Sequence, residues 1–358
     1  MRIAFDVSPL SHERTGVNNY IRGSLAGLAE AAAGRHEIVA FAPTSPAGRR
    51  AIPEALAGID VELRTVTLPF AHGWRTAWSR LGRPPAERFL GRFDVLHFQQ
   101  WMTPPQRAGL RSTMLHDLVP LRFPEWTTRR TRAMHCAQYA AAAGCDVVFV
   151  NSAYTGRDAV ERLGIAGERI HVAHPGVDPV FCRDGGQAEL ERPYVLTVAT
   201  LEPRKNLGTL VDAFRLLPSN SLLLAVVGGA GWGRQPQLDA PGILRLGRVD
   251  DDELARLYRG AACVVYPSRF EGFGMPVVEA MACGAPVVAS AHPSLDEACG
   301  EAAVRAHPDD PETIAAAIGE AIERRDELVP RGLEYARSFT WRAVGETFLR
   351  AWEERHEA

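Results

Sequence analysis

Short apolar runs alternating with stretches of helical period constrain this chain more than any other feature. They fall at 2–7 (RIAFDV), 37–42, 61–66, 94–98 (DVLHF), 112–115, 146–150 (DVVFV) and 169–173 in the first half. In the second they fall at 194–199 (YVLTVA), 222–227 (LLLAVV), 243–246, 262–266 (ACVVY), 286–289 (PVVA) and 302–304. Strands apolar on both faces, with amphipathic helices between them, make parallel sheets covered by helices rather than sandwiches. At 358 residues the chain is long for one core, so two such α/β units facing across a cleft are expected.

The polar, glycine-bearing stretch Asp184-Gly185-Gly186-Gln187 through Pro193 has no periodicity and reads as the linker. The expected organisation is a Rossmann-like domain over 1–183, a linker over 184–193, a second Rossmann-like domain over 194–338 and a C-terminal helix over 339–358. That helix carries Thr340 as its cap and Val344, Phe348 and Trp352 on one face.

Charge is unevenly spread. Residues 1–183 hold 22 arginines against 16 acids, a balance of +6, and the rest hold 18 basic against 27 acidic residues, a balance of −9. Of the 40 basic residues only Lys205 is lysine. Ammonium and guanidinium are not interchangeable where a compact charge is needed, so Lys205 is singled out. Six cysteines without a C-x-x-C pair or metal-like spacing read as reduced structural thiols. MRIAFDVSPL lacks the features of a signal peptide, and no apolar stretch is long enough to cross a bilayer, so the cytoplasm is the expected compartment. No nucleic-acid partner and no metal is expected.

The stretch 262–290, ACVVYPSRFEGFGMPVVEAMACGAPVVAS, carries the most chemistry. A strand ends at Pro267, a loop with Gly272 and Gly274 follows, Pro276 suits the first turn of a helix, and Gly284 ends it. Such a turn at the carboxyl edge of a parallel sheet aims backbone N–H groups at an anion. Glu271 and Glu279 flank it with seven residues between them. Either carboxylate can accept from two neighbouring hydroxyls of a ribose or hexose; either can equally be a solvated helix-start residue. Two look-alikes fail. Gly229-Ala230-Gly231-Trp232-Gly233 is followed by Arg234 where a dinucleotide loop needs glycine. His171 and His174 have no carboxylate or cysteine at metal spacing.

E-G-F-G-M-P-V-V-E resembles the E-x7-E signature of the family 4 retaining glycosyltransferases, whose fold is named GT-B, and the resemblance runs over nearly the whole chain. It implies transfer of a hexose from a nucleoside diphosphate to a hydroxyl acceptor with retention of configuration, and no cofactor beyond the nucleotide sugar. YVLTVATLEPRKNLGTLVDAF is similar to the family's phosphate-binding segment, which makes Arg204 and Lys205 the cations that meet the leaving diphosphate. Lys205 itself reads as an exposed turn residue. Arg14-Thr15-Gly16-Val17-Asn18-Asn19-Tyr20 resembles the family's glycine-bearing loop, with Gly16 as the residue that matches and Asn18 where a second glycine is usual.

His116-Asp117-Leu118 resembles the H-D-L segment whose histidine sits against the donor sugar; Asn151–Thr155 and Pro175–Asp178 are similar to segments lining the cleft. The implied site is thus His116, Arg204, Lys205 and Glu271 for catalysis. Gly16, Glu271, Gly272, Phe273, Gly274, Met275 and Glu279 would hold the donor, with Glu279 on the ribose. The segment 116–121 is similar to that of bacterial members that transfer mannose in surface polysaccharide assembly, so GDP-mannose is the first choice of donor and a glycan or lipid-linked intermediate the acceptor. The same donor site would also serve an epimerase, a phosphorylase or a non-catalytic sugar-nucleotide-binding protein; a requirement for a hydroxyl acceptor separates these.

The stretch 70–93, FAHGWRTAWSRLGRPPAERFLGRF, carries Arg75, Arg80, Arg83, Arg88 and Arg92 against the single acid Glu87. A helical wheel places Trp74, Ala77, Trp78 and Leu81 on one face and Arg75, Arg80 and Arg83 on the other, until Pro84-Pro85. This is the pattern of an interfacial helix, and it predicts a peripheral contact with the inner face of the membrane. Tryptophans packed on a sheet with arginines facing water satisfy the same pattern.

Overall fold

The computed structural model describes residues 1–12, 15–99, 102–218, 221–233 and 237–358, and of His72 only the backbone. Two compact units are present, one formed by Met1–Gly176 together with Thr340–Ala358, the other by Val177–Phe339. The first holds β1 (Arg2–Asp6), β2 (Glu37–Thr44), β3 (Glu62–Thr67), β4 (Val95–Phe98), β5 (Leu110–Leu115), β6 (Val147–Val150) and β7 (Ile170–Val172). The second holds β8 (Tyr194–Val198), β9 (Leu223–Val227), β10 (Ile243–Gly247), β11 (Cys263–Tyr266), β12 (Val287–Ser290) and β13 (Ala303–Ala306). Each expected strand is present, its ends shifted by no more than a residue or two.

The sheets run β3-β2-β1-β4-β5-β6-β7 and β10-β9-β8-β11-β12-β13, and every pairing between neighbours is parallel. All four residues of β4, β6, β11 and β12 are buried, as strands covered by helices on both faces must be. In each sheet the strand order reverses once beside the first strand, at β1/β4 and at β8/β11. Ligands of doubly wound sheets bind outside the carboxyl ends at such a reversal.

The chain passes between the units at Gly176–Val177 and returns at Phe339–Thr340, so residues 184–193, expected as the linker, lie inside the second unit. The Ala188 N–H donates to the Arg256 carbonyl at 2.8 Å, and a Cβ on Gly260 would stand 2.3 Å from the Ala188 carbonyl oxygen. The stretch is irregular, as its composition says, but it is packed.

The helix Trp341–Glu357 belongs to the first unit. Thr340 caps it by accepting from the Ala343 N–H. Val344, Phe348 and Trp352 are buried with Phe5 and Phe149, and the Trp352 indole N–H donates to Ser112 Oγ at 2.9 Å. It crosses the helix Gly16–Ala32 so closely that a Cβ on Gly345 would stand 2.2 Å from the Gly27 carbonyl oxygen.

The helix Ala71–Leu81 turns its tryptophan side inward, but with Arg75 on that side and Ala77 and Leu81 off it. Trp78 is buried against Phe41 and Phe89, with Trp74 beside it. Arg75, expected on the outer face, is only 3% exposed, whereas Leu81 is 73% exposed and Ala77 is exposed as well. The cause is Asp6 at the end of β1. Its carboxyl accepts from the Ser8 and Gln99 N–H groups, burial pushes its pKa up to about 6, and the Arg75 charge works against that rise. A buried carboxyl needs a nearby cation, and the helix is rotated to supply one. The helix ends at Gly82, in the left-handed conformation, before the two prolines. Arg80, Arg83 and Phe70 remain at the surface, Phe70 at 92% exposure.

Candidate functional site

The second unit brings two segments to the β8/β11 reversal. After β8 the chain runs through Leu201 and Glu202 into a short 3-10 turn, Pro203–Lys205, and then into the helix Leu207–Arg215. After β11 it runs through a loop from Pro267 to Gly274 into the helix Met275–Ala282. The two are tied by main chain, the Arg269 N–H donating to the Arg204 carbonyl at 2.9 Å. Gly274 ends the loop with φ 113°, and a Cβ there would meet Leu295 at 2.6 Å. The positive φ calls for glycine, and a side chain there would also push Leu295 aside.

Arg204, Lys205 and Glu271 meet here. Lys205 Nζ donates to Glu271 Oε1 and to Tyr266 Oη, both at 2.7 Å. Arg204 Nη1 donates to Glu271 Oε2 at 2.5 Å and to the Phe270 carbonyl at 2.9 Å, while its Nη2 donates to Glu202 Oε1 at 2.7 Å. Glu271 is 6% exposed and Glu202 5%. Lys205 is therefore not the exposed turn residue expected: its side chain is 12% exposed, drawn in by the buried carboxylate and the tyrosine. Burial alone would raise the Glu271 pKa, but Arg204 and then Lys205 outweigh it and hold the carboxyl at about 2. Burial lowers the Lys205 pKa, and Glu271 opposes that. Burial first, and then the Glu271 charge, push the Tyr266 phenol well above its ordinary value, so it stays protonated.

Glu279 lies one turn inside the helix Met275–Ala282, 7% exposed, and accepts from Tyr258 Oη at 3.1 Å. Burial, then Glu279, raises the Tyr258 pKa well above its ordinary value, which keeps the phenol a donor. The side chain of Phe273 packs in the core with its ring 5.4 Å from that of Phe339, so only its main chain faces this edge. Gly272 lies in the same turn, and Met275, the first helical residue, packs against that core. The glycine run after β9 is explained by packing. A Cβ on Gly228 would stand 1.9 Å from the Ala199 carbonyl oxygen, and one on Gly231 2.1 Å from that of Leu201. Arg234 lies outside the described residues.

The first unit holds the other expected residues. Gly16 opens its helix at an exposed position with open space where a Cβ would stand. Thr15 caps the helix by accepting from the Asn18 N–H, and Asn18, where the family more often has glycine, donates its amide to the Pro9 carbonyl at 3.0 Å. Arg14 lies outside the described residues. His116 follows β5 with its ring edge-on to Tyr20, centroids 5.1 Å apart. Burial lowers its pKa to about 4, so the imidazole is neutral at physiological pH. Its Nε2 is buried without a partner among the described residues, as are both amide atoms of Gln99 and Oδ1 of Asn151. Leu115 pairs with Val150, so His116 and Asn151 stand side by side just beyond their strands.

Glu202, Tyr258, Tyr266 and Gln99 were not singled out from the sequence. Glu202 lies two residues before Arg204 in E-P-R-K, and that spacing is a usable signal. The tyrosines had none beyond being polar-tipped aromatics in apolar runs.

The profile for Glycosyltransferase Family 4 matches residues 15–181, and that for Glycosyl transferases group 1 matches 192–324. The chain is 40% identical over 260 residues to O-antigen chain mannosyltransferase B of Escherichia coli, covering 66% of this chain and 68% of that one. It is 27% identical to D-inositol 3-phosphate glycosyltransferase of Thermomonospora curvata, covering 97% and 93%. Among solved structures, sucrose-phosphate synthase from Thermosynechococcus elongatus superposes with a TM-score of 0.72 at 20% identity, over 99% of this chain and 98% of that one. Anabaena HepE in complex with UDP and glucose superposes with 0.70 at 18%, over 99% and 100%. The structural likenesses establish the GT-B fold, and the sequence matches establish the lineage: this chain belongs to family 4 of the glycosyltransferases.

Proposed function

We propose that this glycosyltransferase moves a hexose, mannose from GDP-mannose as first choice, to a hydroxyl of a glycan or lipid-linked acceptor in surface polysaccharide assembly, with retention of configuration. The observation that carries the reading is the convergence of Arg204, Lys205 and Glu271 at the β8/β11 reversal. Two fixed cations there can meet the charge that develops on a departing diphosphate, so no divalent metal is required for that task. Glu279, oriented by Tyr258, is assigned to the ribose hydroxyls, and Glu271 to hydroxyls of the sugar. His116 keeps the role the family resemblance implies, a contact with the transferred sugar; a neutral imidazole with an unpaired Nε2 serves there as a hydrogen-bond partner and not as a cation.

Mannose is favoured by the relative from Escherichia coli, whose name states mannosyl transfer; a uracil nucleotide is the competing choice, since HepE was crystallised with UDP and UDP-glucose. Melting shifts measured with GDP, UDP and deoxythymidine diphosphate, followed by assay of the matching nucleotide sugar with and without a hydroxyl acceptor, test the proposal. A GDP preference with acceptor-dependent release of GDP is expected. Preference for UDP removes the donor choice, and consumption of donor without any acceptor removes the transfer reading in favour of an epimerase.

Phe70, Ala77 and Leu81 are exposed beside Arg80 and Arg83, which supports a peripheral contact with an anionic lipid surface: apolar side chains at headgroup depth, guanidinium groups toward phosphate. Arg75 has no part in it.

A further inference from the structure

Arg204 and Lys205 are engaged. Both hold the Glu271 carboxylate, one oxygen each, and Arg204 also holds Glu202. Two carboxylates thus stand against two cations, and a neutral cluster exerts little net attraction on a diphosphate. Every N–H that points at Glu271 is also unavailable to a phosphate oxygen. A diphosphate can reach the remaining N–H groups of these cations, but it gains the donors and the charge now held by Glu271 only by displacing that carboxylate.

The displaced carboxylate then decides the energetics. Glu271 is almost wholly buried, and a buried carboxylate stripped of its charge-assisted hydrogen bonds is costly unless other donors replace them. A nucleoside diphosphate that carries a sugar brings that sugar's hydroxyl donors with it; a free nucleoside diphosphate brings only its ribose hydroxyls, which the reading above gives to Glu279. Local structure lets Glu271 change partners. It lies in the loop before the helix Met275–Ala282 rather than within an element, and its main chain is fixed by donation from its N–H to Ser294 Oγ at 3.0 Å, so a side-chain rotation suffices. Glu202 stays on the far side of the Arg204 guanidinium, which keeps that cation in place during the exchange.

The geometry points to a second role for Glu271, resting on the donor reading above: it competes with the diphosphate for Lys205 and Arg204, and so makes the site select a nucleotide that bears a sugar over the free nucleoside diphosphate. Once the sugar has been transferred, Glu271 loses its hydroxyl partners and returns to the two cations, which drives the diphosphate out. The residue therefore sets specificity between substrate and product as well as touching the sugar.

Titration calorimetry of the full chain with GDP, GDP-mannose, UDP and UDP-glucose, without acceptor, tests this. The wild type is expected to bind one nucleotide sugar at least about tenfold more tightly than its own diphosphate. Glu271→Gln, which keeps the shape and removes the charge, is expected to bind that free diphosphate about tenfold more tightly than the wild type and to lose the preference, while turnover falls. Glu271→Asp, which keeps the charge, is expected to retain weak diphosphate binding. Unchanged or weaker diphosphate binding by Glu271→Gln overturns the exchange, and so does equal affinity for sugar-bearing and free nucleotides in the wild type, a readout independent of how any variant folds. Failure of the wild type to bind any of the four nucleotides sinks the donor reading itself, and the exchange with it.

Discussion

Consider the variant Lys205→Ala, whose effects on stability and on catalysis have different pH signatures. In the folded protein Glu271 titrates near 2 against an ordinary 4.5, a difference that corresponds to roughly 3 kcal/mol at neutral pH. Two cations supply it, Arg204 the larger share and Lys205 the next, so loss of Lys205 removes part of it. A depressed carboxyl pKa contributes stability that is complete above the unfolded value and is lost as the pH falls toward the folded value. The stability gap between wild type and variant should therefore be full at about pH 7 and about pH 5.5, and should shrink from about pH 4.5 downward. Comparing the two proteins at each pH cancels the opposite contribution of Asp6, whose pKa is raised. Urea unfolding followed by circular dichroism at about pH 7, 5.5 and 3.5 measures the gap. A gap as large at the lowest pH as at neutrality refutes the argument. Turnover should fall about a hundredfold, ~3 kcal/mol at the transition state, because the departing diphosphate meets one cation fewer. Near-normal turnover would remove Lys205 from the catalytic site.

Three further outcomes are expected. Gly345→Leu forces the crossing with the helix Gly16–Ala32 apart and should lower the stability of the first unit by at least about 2 kcal/mol, seen as a lower melting temperature with the second unit's nucleotide binding intact; an unchanged melting curve contradicts the packing. Tyr258→Phe removes the donor to Glu279 and should weaken nucleotide binding about tenfold by calorimetry; unchanged affinity dissociates Tyr258 from the site. Cosedimentation with anionic vesicles should be lost in Leu81→Asp and in the pair Arg80→Glu, Arg83→Glu, whereas neutral vesicles should not bind; no binding of the wild type at low salt leaves a soluble acceptor.

The strands were legible because their apolar runs are short, β-rich and interrupted by turn residues, and Thr340, Val344, Phe348 and Trp352 announced the last helix in the same way. Two features of the fold were not legible. The linker composition of 184–193 marks irregular backbone, and sequence has no term for whether irregular backbone is packed, as the Ala188 and Arg256 main chains are. The orientation of Ala71–Leu81 depended on Asp6, 69 residues before Arg75 in the chain; a wheel drawn from local hydrophobicity ignores a buried carboxyl that asks for a cation. At the candidate site Arg204, Lys205, Glu271 and Glu279 were singled out by their motif. Their mutual pairing was not legible, nor was the supply of phenol donors from Tyr258 and Tyr266, because these contacts join the turn Pro203–Lys205 to β11 and the helix Asp251–Gly260 to the helix Met275–Ala282 across long separations.

The return of Thr340–Ala358 to the first unit has a consequence for how the protein is made. A ribosome releases these residues after all of Val177–Phe339, so the first sheet waits for its closing helix while the second unit is synthesised, on the order of ten seconds or more. During that interval Phe5, Phe149 and the Gly23–Gly27 face lack the cover that Phe348, Trp352 and Trp341 later give them. The second unit, being continuous in the chain, can complete its core as it emerges. The core of the first unit is thus the later of the two to be closed, although its strands are made first.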